Sequence, residues 1–200
     1  MQVRELEIEG AFEFTPPVFK DRRGLFSSPY QNHVFEKTLG KPLFPVRQVS
    51  HNLSERGVLR GIHYTATPPG SAKYVYCARG RVQDFLVDLR TGSPTFGTWQ
   101  TAQLDQDSCR ALYIPVGVGH AFMSMEDGSM VTYLLSGEYV AENELAVDPL
   151  DPAIGLPIPD GLDPVQSERD LAAPDLAEAE KQGKLPAYAD CAEVEARLWP

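Results

Sequence analysis

Residues 73–90 read KYVYCARGRVQDFLVDLR, and no other stretch constrains the fold more. Two runs, 73–78 and 82–89, alternate in polarity with the period of two that a strand gives its side chains. They flank ARGR, where Gly80 suits a tight turn, and together they predict a hairpin. Further along, RALYIPVGVGHAFMSM and SMVTYLLSGEYV read as strands separated by EDGS as a turn, and TGSPTFGTW (91–99) reads as a loop entering a strand. Turn signals recur through residues 1–140 at spacings that suit an all-β sandwich or barrel. The strand-to-helix alternation of a parallel α/β sheet is absent.

Helix signals sit near the ends. YQNHVFEKTLG (30–40) places Val34, Phe35 and Leu39 on a helical period, with Gly40 as a stop. DLAEAEKQG and DCAEVEARL are rich in Glu and Ala, which favour helix. Between barrel and tail lies DPLDPAIGLPIPDGLDP, whose Ile154, Leu156 and Ile158 predict a loop packed on the domain. The expectation is one domain over 1–200: a barrel over about 7–150, then a loop and helical tail over about 151–200.

Charge narrows the function classes. A net charge of −10 argues against nucleic acid or an anionic membrane as partner, since both need a basic face. No apolar run approaches the ~20 residues of a membrane span. The opening MQVRELEIEG lacks the apolar centre of a signal peptide, so a cytoplasmic location is expected. Cys77, Cys109 and Cys191 form no C-x-x-C pair and read as free thiols.

Against that acidic background, LRGIHYTATPPGSAKY (59–74) gathers Arg60, His63 and Lys73 around one Pro-Pro-Gly turn. Cations repel, so the grouping calls for an anion or for negative charge that develops during a reaction. PVGVGHAF (115–122) carries P-x-G-x-x-H, the second motif of cupin jelly rolls, in which the histidine often binds metal. The first cupin motif needs H-x-H and a Glu; this chain has one His there and no Glu, so no metal is expected. His120 then either lines the pocket or packs in its strand. In FKDRRGLF (19–26), Arg22, Arg23 and Gly24 form either a phosphate-binding turn or a solvated one. In SERDLAAP (167–174), Ser167 is a helix cap, and Asp170 either completes a capping box or reaches the pocket to orient a histidine. Tyr133 and Tyr139 are core aromatics or, inside a barrel, proton donors.

GVLRGIHY, PPGSAKY, VDLRTGSPTFGTW, YIPVGVGHAF, DPAIG and SERD occur in the order and spacing of the dTDP-4-dehydrorhamnose 3,5-epimerase family, which the chain resembles from about residue 7 to 174. Its Glu/Ala-rich tail is similar to the branch that serves antibiotic deoxysugar pathways. The resemblance implies a metal-free cupin-type jelly roll barrel, a homodimer, no cofactor, and a dTDP-linked 4-keto-6-deoxy sugar as substrate. The ketone acidifies the C3 and C5 hydrogens; a base removes one, an enolate forms, and an acid returns a proton to the opposite face. The resemblance gives His63 the role of base, Asp170 its carboxylate partner and Tyr133 the acid. Lys73 falls where a cation steadies the enolate oxygen. Arg60 and Arg23 fall on the diphosphate, Phe26 and Gln48 near the nucleotide or sugar, and His120 in the same pocket; Tyr139 is carried as a further substrate contact. Ser28, Ser50 and Glu138 depart from the Glu, Asn and aromatic residue of many members. Two rivals share this outline: a 3,4-ketoisomerase of the same sugars and a non-catalytic nucleotide-sugar-binding cupin.

Overall fold

The structure, a computed structural model, describes residues 1–199. In chain order it contains β1 (Gln2–Glu5), β2 (Phe12–Thr15), β3 (Val18–Asp21), β4 (Gly24–Ser27), α1 (Asn32–Leu39), β5 (Gln48–Ser54), β6 (Leu59–Thr65), β7 (Lys73–Arg79) and β8 (Arg81–Asp88). There follow β9 (Trp99–Asp105), β10 (Ala111–Ile114), β11 (Val118–Ser124), β12 (Ser129–Leu135), β13 (Glu144–Ala146), α2 (Glu168–Leu171), α3 (Leu176–Lys181) and α4 (Tyr188–Ala196).

Two antiparallel sheets face each other. One has the order β1-β2-β10-β7-β12-β5 and the other β13-β6-β11-β8-β9; β3 and β4 form a hairpin outside both. From β5 onward the chain crosses between sheets at nearly every turn, β8 to β9 being the exception. That crossing pattern is the expected all-β jelly roll.

The crossing corrects one expectation. β7 and β8 do not form a hairpin about Gly80: β7 lies between β10 and β12, and β8 between β11 and β9. Alternation shows which side chains turn inward but not which strand lies alongside. The inward Val75 and Cys77 of β7 meet Val82 and Leu86 of β8 face to face in the barrel core rather than edge to edge. Gly80 makes the crossing with a φ of 74°, and a Cβ there would lie 2.9 Å from the Cα of Ser129.

Both sheets are covered outside over part of their area, the outer face of β5 remaining exposed. Against the six-stranded sheet, α1 buries Phe35 among Phe14, Tyr74 and Tyr113, with ring centroids 5.6, 6.2 and 5.3 Å away. Gly40 ends α1 in the left-handed conformation with φ 73°, its N–H on the Glu36 carbonyl, as the sequence predicts. α4 adds Cys191 and Val194 to the same face. The five-stranded sheet is covered by the proline-rich connector, which is a packed loop: Ile154 and Leu156 are buried against Leu59, Ile62 and Phe85. Each such side chain stabilises the fold by roughly 1.5–3 kcal/mol. The three cysteines are free, with Cys77 and Cys191 buried. Among the described residues no helix is long and apolar enough to cross a membrane.

Candidate active site

Arg60 and His63 are three residues apart on one strand, a spacing that turns side chains to opposite faces. A bulge reverses this. β6 pairs with β11 so that His63 opposes His120 and Arg60 opposes Phe122, three residues set against two. The extra residue falls at Gly61–Ile62. Leu59, Ile62 and Tyr64 then pack outside the barrel, while Arg60 and His63 both line its interior. The bulge requires glycine: Gly61 has φ 122°, and a Cβ there would lie 2.6 Å from both the Ala121 Cα and the His120 carbonyl.

The interior holds a cavity of about 240 Å³. β5 contributes Gln48, Ser50 and Asn52, β6 contributes Arg60 and His63, and β7 contributes Lys73. His120 and Phe122 come from β11, Tyr133 from β12, and Glu144 and the rim residue Tyr139 close one side. His63 stands on the five-stranded sheet and Tyr133 on the six-stranded sheet, so the two face the cavity from different walls.

His63 Nε2 lies 2.6 Å from Asp170 Oδ1. Asp170 belongs to α2, whose Ser167 cap accepts its backbone N–H at 3.1 Å. Both readings of SERD therefore hold together: the serine caps the turn, and the turn aims the carboxylate at the histidine. Burial opposes ionisation of Asp170. The hydrogen bond and charge of His63 outweigh it, with help from Ser167 and the Gly61 backbone, and hold the carboxyl below its usual range. In the neutral imidazole, an ionised Asp170 keeps the proton on Nε2 and leaves Nδ1 as the acceptor.

Lys73 is buried, and its ammonium donates to the His63 carbonyl at 3.3 Å. Desolvation pulls its pKa down; the charges of Glu144 and Asp84 resist this in part. His120 is 4% exposed, with Nε2 2.7 Å from Asp84 Oδ2. Asp84 is fully buried, and its Oδ1 has no hydrogen-bond partner among the described residues. The His120 ring stands edge-on to Tyr133, with centroids 5.9 Å apart. Tyr133 Oη accepts from Asn52 Nδ2 at 2.8 Å, and burial drives the phenol well above the usual tyrosine range. Arg60 Nε donates to Ser54 Oγ at 3.1 Å. Gln48 donates to Ser50 Oγ and accepts the Tyr139 backbone N–H, each at 2.8 Å.

One chain thus brings His63, Asp170, Tyr133, Lys73, Arg60, His120, Gln48 and Tyr139 to a single site. Arg23 and Phe26 are not among them. They sit on the β3–β4 hairpin, which joins neither sheet, and they do not line this cavity. Arg23 is 82% exposed on its side chain and pairs with Asp21 at 2.6 Å; Phe26 is 67% exposed. The turn at Arg22 and Arg23 closes a hairpin that leaves the barrel, so Arg23 and Phe26, which the resemblance assigns to the substrate, do not reach the cavity of their own chain.

Sequence reasoning passed over Asp84, Asn52 and Glu144. Asp84 left a signal, a carboxylate at an inward position between Val82 and Leu86. Asn52 left a weaker one, because the pattern of β5 is inverted: the polar Gln48, Ser50 and Asn52 face inward while Val49 and Leu53 are exposed.

The family model described as dTDP-4-dehydrorhamnose 3,5-epimerase matches residues 5–178. The chain belongs to the dTDP-4-dehydrorhamnose 3,5-epimerase family. A curated relative of that name from Streptomyces griseus is 45% identical over 189 residues, 94% of this chain and 94% of its own. The crystal structure of NovW, a 4-keto-6-deoxy sugar epimerase from the novobiocin gene cluster of Streptomyces spheroides, is 46% identical with a TM-score of 0.91, covering 96% of this chain and 95% of that one. ChmJ, a 3'-monoepimerase from Streptomyces bikiniensis solved with dTDP-quinovose, is 43% identical with a TM-score of 0.90 and covers 96% of both chains. The epimerase family is therefore evident in sequence and fold alike. Among the described residues of this member, no three His, Cys, Asp or Glu side chains gather to hold a metal ion.

Proposed function

We propose that the protein inverts C5, C3 or both in a dTDP-linked 4-keto-6-deoxyhexose, by removing a proton next to the ketone and returning one to the other face. The observation that carries this reading is the placement of His63–Asp170 on one wall and Tyr133 on the other, around a buried ammonium. A binding protein has no use for an opposed base and acid.

His63 Nδ1 takes the proton, and ionised Asp170 stabilises the imidazolium that results. The electron pair moves into the carbonyl, and the negative enolate oxygen meets Lys73. A preorganised cation at so buried a position lowers the barrier by roughly several kcal/mol. Tyr133 delivers a proton from the opposite face. Arg60 keeps its terminal nitrogens for the diphosphate, His120 contacts the sugar, and Gln48 and Tyr139 hold the rim toward the nucleotide. Each step falls to a side chain, so the reading assigns the chemistry to no cofactor.

We also infer a homodimer in which the β3–β4 hairpin carries Arg23 and Phe26 to a second copy's cavity. Its exposed Phe19, Leu25 and Phe26 support this, as do the exposed Val49 and Leu53 on the outer face of β5.

Incubation with dTDP-4-keto-6-deoxyglucose in deuterium oxide, followed by NMR, tests the reaction. Deuterium should enter at C3, C5 or both, with inversion, and His63→Ala should abolish the exchange. A ketone that moves to C3 would identify a ketoisomerase instead, and tight binding without exchange would identify a binding protein.

A further inference from the structure

We propose that Asn52 is a positioning residue that turns the Tyr133 hydroxyl proton toward the substrate, its amide held the right way round by a one-way hydrogen-bond chain that begins at Arg60. The inference rests on the reading of Tyr133 as the acid.

A tyrosine oxygen carries one proton and also accepts hydrogen bonds. Asn52 Nδ2 donates to Tyr133 Oη at 2.8 Å. That bond uses an acceptor site, so the phenol's own proton is left over and is available to the cavity that Tyr133 lines. An amide turned over would present its oxygen, capture the phenolic proton and silence the acid. The orientation of one amide therefore decides whether Tyr133 can donate.

The neighbouring contacts fix that orientation. Arg60 Nε is always a donor, and it donates to Ser54 Oγ at 3.1 Å. The Ser54 hydroxyl, accepting there, directs its proton to Asn52 Oδ1 at 3.5 Å, the longest link. With Oδ1 accepting, Nδ2 faces Tyr133. Donor character thus runs from guanidinium to hydroxyl to amide to phenol, and then to the cavity. Ser54 is 2% exposed, so water does not compete for this link. The alternation of β5 places Asn52 and Ser54 on the inward face, and Asn52 pairs with Val131, two residues before Tyr133 on β12.

The same bond serves the acid after it has reacted. Burial and the charge of Asp84 on β8 disfavour a tyrosinate at this position, as does Cys77 on β7; the Asn52 amide and Arg60 on β6 favour it, and His120 on β11 packs against the ring. Among the described residues, Asn52 is the one neutral donor seated on the oxygen itself.

Two variants test the proposal. Asn52→Asp keeps the shape but offers only acceptors, and Asn52→Leu offers neither. With dTDP-4-keto-6-deoxyglucose in deuterium oxide, two rates are read: loss of substrate protium, which reports the base, and formation of inverted product, which reports the acid. The ratio of inversion to exchange should fall about ten- to a hundredfold in both variants, the worth of a hydrogen bond to a charged group. Exchange should persist, and dTDP binding with it. Ser54→Ala, which frees the amide to turn, should lower the ratio less. Wild-type exchange with an unchanged ratio in both variants overturns this proposal alone. Absence of exchange in the wild type overturns the epimerase reading and this proposal with it. Equal loss of both rates with a lowered melting temperature shows a structural role for Asn52 and likewise overturns it.

Discussion

His63 and His120 stand directly opposite each other on paired strands, and each places its Nε2 against a different buried carboxylate. Asp170 reaches His63 from a helix outside the sheet, whereas Asp84 reaches His120 from the adjoining strand β8. The two pairs are alike in geometry and unlike in access. The side chain of His63 is 32% exposed and that of His120 only 4%. The exposed pair suits proton exchange with a ligand, and the buried one suits a fixed wall.

Asp170→Asn tests the first pair. Asparagine keeps the shape but not the charge, so it neither fixes the proton on Nε2 nor stabilises the imidazolium. Turnover should fall by about 10²–10⁴-fold, with KM little changed. Steady-state kinetics on the keto sugar measure both.

Lys73→Met separates activity from stability. The ammonium is buried without a salt bridge among the described residues. Its replacement should cost activity roughly 10²–10³-fold and stabilise the fold by about 1–3 kcal/mol. Burial lowers the folded pKa of Lys73 below its unfolded value. The charge penalty is therefore complete below the folded pKa and fades as pH rises through it. The stability gap between variant and wild type should close in alkali, and wild-type activity should decline over the same range. Urea titrations and rate profiles at several pH values check both limbs.

Gly61→Ala should remove the bulge that lets Arg60 and His63 share the interior. The added Cβ meets backbone at 2.6 Å, at a φ that alanine resists. The expected result is loss of exchange and a lower melting temperature, whereas Gly92→Ala, which shares a positive φ of 82° but has open space around its Cβ, should carry the backbone strain without the clash and cost less. Melting curves of the two variants make the comparison.

Asp88→Ala probes the motif that the reaction does not use. Asp88 accepts from the Arg90 backbone, from Arg90 Nε and Nη2, and from Ser93 and Thr95, at 2.6 to 3.0 Å. Its loss strands a buried guanidinium and should cost about 3–5 kcal/mol. Burial alone would raise the Asp88 pKa, but Arg90, Ser93 and Thr95 bring it below the usual value. Its contribution is therefore full above the unfolded pKa of ~3.9 and is lost as pH falls through the lower folded value. Denaturation of wild type and variant between neutral and acid pH should show the gap narrowing only in acid.

The strands, the packed connector and α1 were legible because each is written locally. Alternation marks a strand, Gly40 marks a helix end, and Ile154 and Leu156 mark a loop that must cover a sheet. His63, Lys73 and His120 were legible because glycine and proline pin them in short motifs. Asn52 and Asp84 were not, since their meaning lies in partners 81 and 36 residues away. Arg23 and Phe26, which the resemblance alone assigns to the substrate, lie on a hairpin that leaves the barrel, so local sequence could not say which cavity they serve.

The sequence by itself determined that this chain is a strand-built barrel of the epimerase family and which residue types it devotes to a pocket. Only the tertiary structure decided that β7 and β8 part at Gly80, that an extra residue at Gly61 turns Arg60 and His63 the same way, and that Asp170 returns to His63 from 107 positions downstream. The physical reason is one of range. Polarity and backbone preference act between neighbours in the chain, while strand partners and hydrogen-bond partners are selected by packing across the whole core.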